Sequence, residues 1–198
     1  MRVTIFDYGA GNLHSLSKTI AGDGIRLVIE TDPARAVDTD ALVLPGVGAF
    51  TTAANRIAPA LAAMRDAIVG GLPTLGICLG MQLFFDASAE GPGAGLGIIP
   101  GIVERLRGGR VPQIGWNTVD DPTDTLLSRA PLASVYYANS YVCRPSDPAV
   151  VTSWSTHEGV RFPATVRSGT TVGVQFHPEK SSRAGVRFIR AFLDEAGR

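Results

Sequence analysis

Four short apolar runs, Val3–Phe6, Leu27–Ile29, Ala41–Leu44 and Thr74–Ile77, alternate along the first half of the chain with segments suited to helix. The clearest helical segments are a mixed polar and apolar stretch from Asn12 to Ile20 and an alanine-rich stretch from Thr51 to Val69. Neighbouring parallel strands need a crossover, which an α-helix supplies, so this rhythm predicts parallel βαβ units. After Gly91 the texture changes. Gly and Pro punctuate short β-rich runs, Ile102–Leu106, Val135–Tyr137, Val150–Trp154, Ala164–Val166 and Thr171–Phe176, which predict a mixed sheet with hairpins. From Arg183 to Leu193 apolar residues recur at Val186, Ile189, Ala191 and Leu193, predicting a closing amphipathic helix over one sheet face. The expected architecture is α/β: a single domain over residues 1–198, with an open, twisted, mixed but largely parallel sheet flanked by helices.

An apolar fraction of 45% over 198 residues supports one well-buried core. Eighteen basic residues against 18 acidic leave no electrostatic footprint for nucleic acid or an anionic membrane. No apolar run approaches bilayer length and no leader precedes Val3, so a cytoplasmic protein is expected. In that compartment Cys78 and Cys143 are expected as free thiols.

Gly76-Ile77-Cys78-Leu79-Gly80 puts a cysteine between glycines where an apolar strand must turn sharply into a helix beginning near Leu79. This is the pattern of a nucleophile elbow with Cys in place of Ser. Small flanking residues permit the turn, and the free N–H groups and positive end of the following helix favour a thiolate. A buried structural cysteine is the competing reading, and it is the reading for Cys143, which lies in the β-like Tyr141-Val142-Cys143-Arg144 without a glycine pair.

The run Val172-Gly173-Val174-Gln175-Phe176 delivers His177-Pro178-Glu179 at its end. Pro178 holds its own φ and biases His177 toward extended geometry, so His177 and Glu179 are expected to project to one side. A carboxylate on one imidazole nitrogen fixes the tautomer and leaves the other nitrogen to exchange a proton with a thiol and a leaving amine. By itself the tripeptide would read as a plain turn with a solvated carboxylate; with a cysteine elbow it completes a nucleophile, a base and an orienter.

Pro45-Gly46-Val47-Gly48 follows the third strand, where glycines allow backbone N–H groups to approach an oxyanion, although an ordinary turn has the same composition. Gly9-Ala10-Gly11 lacks the third glycine of a dinucleotide site, His14 standing in its place. Gly91-Pro92-Gly93-Ala94-Gly95-Leu96-Gly97 lacks phosphate-loop spacing and reads as loop. His14, in the first helix, and His157, beside Glu158 in a loop, have no partners at metal-ligand spacing, so neither a metal site nor a cofactor is expected.

Gly76-Ile77-Cys78-Leu79-Gly80-Met81-Gln82 with Gln175-Phe176-His177-Pro178-Glu179-Lys180-Ser181 closely resembles the class I glutamine amidotransferases. Within that class, Asp7-Tyr8-Gly9-Ala10-Gly11-Asn12, Pro45-Gly46-Val47-Gly48-Ala49-Phe50, Gly95-Leu96-Gly97-Ile98-Ile99-Pro100-Gly101 and Gly115-Trp116-Asn117 resemble the histidine-biosynthesis members, the glutaminase subunits of imidazole glycerol phosphate synthases. The resemblance spans the chain and implies a flavodoxin-like fold and a Cys78, His177, Glu179 triad. It further implies oxyanion N–H groups at Val47 and Leu79, and L-glutamine held by Gly48, Gln82, Glu90 and the Ser140-Tyr141 backbone. A heterodimer is implied with a (β/α)8-barrel cyclase that consumes the ammonia, with Asn12, Trp116, Tyr136 and Lys180 near the partner face. Locally, Glu90 also reads as a solvated charge at a helix end, and Trp116 and Tyr136 as core or rim aromatics.

Two positions depart from the family pattern: Gln113 and Asn139 stand where His is usual. The glutaminase subunits of anthranilate and aminodeoxychorismate synthases share elbow and triad, but usually have His where Met81 stands and lack the Tyr8–Asn12 segment. A free γ-glutamyl hydrolase, active without a partner, would carry the same elbow, and a catalytically silent α/β scaffold could regulate the barrel by binding alone. An intact Cys78, His177 and Glu179 argues against the scaffold.

Overall fold

The computed structural model describes residues 1–9 and 13–198. Its first half runs β1 (Arg2–Phe6), α1 (His14–Ile20), β2 (Arg26–Glu30), α2 (Pro33–Ala36), β3 (Ala41–Leu44), α3 (Phe50–Ile57), α4 (Leu61–Val69), β4 (Thr74–Ile77) and α5 (Leu79–Gln82). The second half adds β5 (Ala87–Ser88), β6 (Gly101–Arg105), β7 (Gln113–Thr118), α6 (Thr125–Arg129), β8 (Ser134–Asn139), β9 (Tyr141–Pro145), β10 (Val151–His157), β11 (Val160–Ser168), β12 (Thr171–Val174) and α7 (Ser182–Ala196).

The main sheet has seven strands in the order β10-β11-β12-β4-β3-β1-β2. From β2 to β12 all neighbours are parallel, and β11 and β10 return antiparallel, which is the mixed, largely parallel α/β sheet expected. Alternation sends successive side chains to opposite faces, and both faces are covered. Val3, Ile5, Val43, Leu75 and Ile77 pack with Leu16 and Ile20 of α1 and Phe188, Ile189 and Phe192 of α7. Phe6, Leu42 and Leu44 pack on the other face with Phe50, Ile57, Met64 and Ile68 of α3 and α4. A smaller sheet, β5-β6-β9, and the antiparallel pair β7-β8 complete the strand set.

Several boundaries differ from the sequence expectation. The alanine-rich stretch forms two helices, α3 and α4, because Pro59 sits in a 3-10 turn, Ala58–Ala60, where its ring and missing N–H interrupt the ladder. The run from Val150 to Trp154 becomes β10 from Val151 onward, Val150 ending a 3-10 turn, and Ala164–Val166 falls within the longer β11; β10 runs on to His157, which ends a strand rather than lying in a loop, with Nε2 2.8 Å from the Arg110 carbonyl. The run Thr171–Phe176 leaves the ladder at Val174, though Gln175 N–H still donates to the Ala164 carbonyl. β7 carries Gly115 and Asn117, poor strand formers, and is held by register with β8, pairing Trp116 with Tyr136 and Gln113 with Asn139.

Packing is tight under α5. A Cβ on Gly80 would stand 2.0 Å from the Leu44 carbonyl oxygen of β3, and one on Gly76 would stand 2.6 Å from the Phe84 ring. Only hydrogen fits at either site, so the glycine pair is fixed by backbone approach as well as by the turn. Gly80→Ala is therefore expected to destabilise the fold by about 3 kcal/mol or more, at the upper end of overpacking costs. Urea unfolding of the purified variant measures this; an unchanged midpoint contradicts the close approach of α5 to β3.

Candidate active site

The parallel strands end on one side of the sheet, and a cavity opens where the segments after β3, β4 and β12 meet beyond their carboxyl ends. Cys78 sits at the end of β4 with φ 47° and ψ −100°, a positive φ that costs a non-glycine residue about 1–3 kcal/mol and is characteristic of functional turns. Its N–H donates to the Val174 carbonyl at 2.6 Å, holding the turn against β12. The helix that follows is only four residues long, so its dipole contributes little.

β12 lies beside β4 in register, Val174 opposite Ile77, and so brings the segment after Val174 to the sulfur. His177 is buried, and its Nδ1 lies 2.8 Å from Oε1 of Glu179, the carboxylate-held imidazole predicted from Pro178. Its backbone is pinned on both sides: His177 N–H donates to the Tyr136 carbonyl at 2.8 Å, and the Ser181 hydroxyl donates to the His177 carbonyl at 2.7 Å. The same Ser181 Oγ accepts from the Tyr136 N–H at 2.9 Å. Burial pulls the His177 pKa down, but the Cys78 charge and hydrogen bond, with those of Glu179, outweigh it and push it up to about 10. The ring is therefore imidazolium at neutral pH. By contrast Cys143 is wholly buried, and burial first, then the Cys78 charge, push its thiol well up against a smaller opposing pull from Arg144, consistent with packing and no chemistry.

Gly46 passes over the site so closely that a Cβ there would meet His177 Cε1 at 2.9 Å. The Pro45-Gly46-Val47-Gly48 turn is tied down from below by Tyr8, whose buried hydroxyl donates to the Pro45 carbonyl. Burial, reinforced by the Cys78 and Asp7 charges, raises the Tyr8 pKa well above its usual value, so the phenol stays a donor.

A cavity of about 310 Å³ opens in front of the sulfur, and Gly46, Val47, Gly48, Cys78, Leu79 and Gln82 line one part of its wall. Glu90, Ser140, Tyr141, His177 and Lys180 line another. Glu179 stands behind His177 rather than in the wall. Gln82 Nε2 donates to the Tyr141 carbonyl at 3.3 Å, and Asn139 Nδ2 donates to the same oxygen at 3.1 Å. Thus Asn139, at a position where the family pattern has His, buttresses the Ser140-Tyr141 backbone. Glu90 is not a freely solvated charge: it is half-buried, and its Oε2 accepts the Phe50 N–H at 2.9 Å, capping α3 from 40 residues away.

Trp116 and Tyr136 do not line the cavity. They pair across the β7-β8 hairpin, edge to face with ring centroids 6.2 Å apart, and Trp116 is 54% exposed, which makes them rim aromatics. Asn12, with Ala10 and Gly11, lies outside the described residues. Sequence reasoning singled out neither Ser181 nor Tyr8 as a functional residue, because both act through contacts with segments remote in sequence. Among the described residues no helix is long and apolar enough to cross a membrane.

The family described as Glutamine amidotransferase class-I matches residues 4–196. The imidazole glycerol phosphate synthase subunit HisH of Acaryochloris marina is 38% identical over 98% of this chain and 94% of its own length. The HisH subunit of Gloeothece citriformis is 41% identical over 98% and 95%. A solved glutamine amidotransferase superposes with a TM-score of 0.75 at 20% identity, covering 99% of each chain. The structure of PurLQS from Thermotoga maritima superposes with a TM-score of 0.70 at 18% identity, covering 98% of each chain. With the fold, the elbow and the cavity agreeing along the whole length, this chain belongs to the class I glutamine amidotransferase family and, within it, groups with the HisH subunits of imidazole glycerol phosphate synthase.

Proposed function

We propose that the chain, acting as one domain over residues 1–198 in the cytoplasm, hydrolyses L-glutamine to glutamate and ammonia. It delivers the ammonia to a (β/α)8-barrel cyclase, which makes imidazole glycerol phosphate and aminoimidazole carboxamide ribotide in histidine biosynthesis. The observation that carries this reading is the contact set at Cys78: a strained, buried cysteine facing a cavity, with a carboxylate-held imidazolium beside it. Glutamine enters with its carboxamide at Sγ and its amino-acid end toward Gly48, Gln82, Glu90 and the Ser140-Tyr141 backbone. The thiolate forms the C–S bond, and the carbonyl electrons move to the oxygen, which the N–H groups of Val47 and Leu79 receive as an oxyanion hole. His177 gives its proton to the nitrogen, the C–N bond breaks, and ammonia leaves a γ-glutamyl thioester. The neutral ring then takes a proton from water, whose oxygen attacks the thioester; glutamate departs and the sulfur regains its electron pair. Glu179 keeps the ring in the tautomer that makes both transfers possible.

The partner face is proposed around Trp116, Tyr136 and Lys180, and the family resemblance assigns Asn12 to it as well. Tyr136 is the connection of interest, since its backbone holds both His177 and Ser181. A docking cyclase that moves the β7-β8 hairpin by a few tenths of an ångström would move the imidazole with it.

Glutamate release by the purified chain, alone and with a cognate cyclase and its nucleotide ligand, tests the proposal. Activity is expected to be low alone, to rise on the order of tenfold or more with the liganded cyclase, and to fall to background in Cys78→Ala. Cys78-dependent activity indifferent to the cyclase would point instead to a free hydrolase or another synthase. A pH profile tests the electrostatics separately. Imidazolium is the form that protonates ammonia, so kcat/KM is expected to fall as pH rises through about 10. In Glu179→Gln the loss of an adjacent negative charge lowers the His177 pKa, so this alkaline limb should move down by on the order of one pH unit. A limb that stays in place shows that Glu179 does not tune the ring.

A further inference from the structure

Two side chains after β12 approach the sulfur. Residues two apart on an extended chain face the same way, so Gln175 and His177 point toward β4 while Val174 and Phe176 enter the core, Phe176 against Tyr137 and Phe188. Gln175 is wholly buried, and its Nε2 donates to Cys78 Sγ at 3.5 Å, within range for a sulfur acceptor. Its own carbonyl, Oε1, is buried and has no hydrogen-bond partner among the described residues. Leaving an amide carbonyl dry and unpaired is costly, and a thioether or hydrocarbon chain of the same length would fill the space without that cost. What the amide adds is a donor. The reverse amide orientation would aim Oε1 at the sulfur and bury two unsatisfied N–H groups, so the observed orientation is the better satisfied of the two.

Resting on the reading of Cys78 as the nucleophile, we propose that Gln175 is a further catalytic residue, a fixed N–H donor to Sγ that favours the sulfur wherever it carries charge. That occurs twice in the cycle. It holds in the thiolate that attacks the carboxamide, and again when water has added to the thioester and the C–S bond breaks with its electron pair going to sulfur. Between these stages His177 changes charge, losing its proton to the leaving nitrogen and regaining one from the attacking water, whereas Gln175 neither gains nor loses a proton and remains a donor throughout. The two residues therefore divide the work: His177 moves the proton, and Gln175 supplies a constant dipole.

Gln175→Met keeps length and bulk and removes the donor; Gln175→Glu keeps the shape and puts a negative charge beside the sulfur. The readout is carboxamidomethylation of Cys78 by iodoacetamide, followed by peptide mass so that Cys143 does not contribute. Alkylation of Gln175→Met is expected to be about tenfold slower than that of the parent chain at pH 7, as suits loss of one hydrogen bond to a charged group. It should match the parent at high pH, where the thiolate is complete in both. Gln175→Glu should be slower still at pH 7. Equal rates at pH 7 in a Gln175→Met protein that melts like the parent would overturn the proposal, because a merely packed side chain does not alter the pH dependence of sulfur reactivity. Should the variants fail to fold, the 15N-labelled parent decides: the Gln175 side-chain amide resonances should shift when Cys78 is alkylated, and unmoved resonances contradict the hydrogen bond. Retention of glutaminase activity by Cys78→Ala would instead remove the nucleophile reading, a failure distinct from either of these.

Discussion

The elbow rests on a backbone contact that only hydrogen permits. With no Cβ at Gly80, α5 settles onto β3 at the Leu44 carbonyl, and with none at Gly76 the Phe84 ring closes against β4. Cys78 is then forced into its positive φ and held there by the Val174 carbonyl of the neighbouring strand. The strain is offset by burial on both sheet faces, which locks β4 between β3 and β12. Once that position is set, parallel register decides the rest: β12 must deliver its next residues to the sulfur, and the turn after β3 must pass over it. Gly46, where a Cβ would strike His177, repeats the same constraint on the opposite side of the site.

Electrostatics then complete what packing starts. Burial alone would leave His177 neutral, and it is the adjacent sulfur and Glu179 that keep it charged. One Glu179 oxygen is engaged by Nδ1, while the other, Oε2, is buried without a hydrogen-bond partner among the described residues. The backbone clamp formed by Tyr136 and Ser181 fixes the imidazole from behind. That clamp also makes the hairpin bearing Trp116 mechanically continuous with the site. At the other end of the sheet a separate network, Arg167 with Asp124 and Glu195, and Arg129 with Glu195, joins β11, α6 and α7 and lies away from the cavity.

The parts of this arrangement legible in sequence are the local ones. Strand apolarity, the glycines around Cys78 and the Pro178 constraint between His177 and Glu179 each act within a few residues, so the sheet and the candidate triad emerge from pattern alone. The break at Pro59 is present in the sequence but masked by the alanine-rich pattern around it. What pattern does not carry is juxtaposition. Glu90 caps Phe50 across 40 residues, Gln175 meets Cys78 across 97, and the Tyr8 hydroxyl reaches Pro45 across 37; each depends on which strands neighbour one another. β7 is the extreme case, since Gly115 and Asn117 oppose a strand and only β8 supplies one. Asn139 belongs with these: as a departure from a family pattern it reads as a loss, yet in place it buttresses the Tyr141 carbonyl together with Gln82.

The central claim is that Cys78 is the residue to which the glutamyl group becomes attached. Acid quenching of the chain during turnover of isotopically labelled glutamine, followed by peptide mapping, tests it most directly. A labelled γ-glutamyl group is predicted on the peptide carrying Cys78 and none on that carrying Cys143. Accumulation of glutamate with Cys78 unlabelled throughout, or label on another side chain, would contradict it.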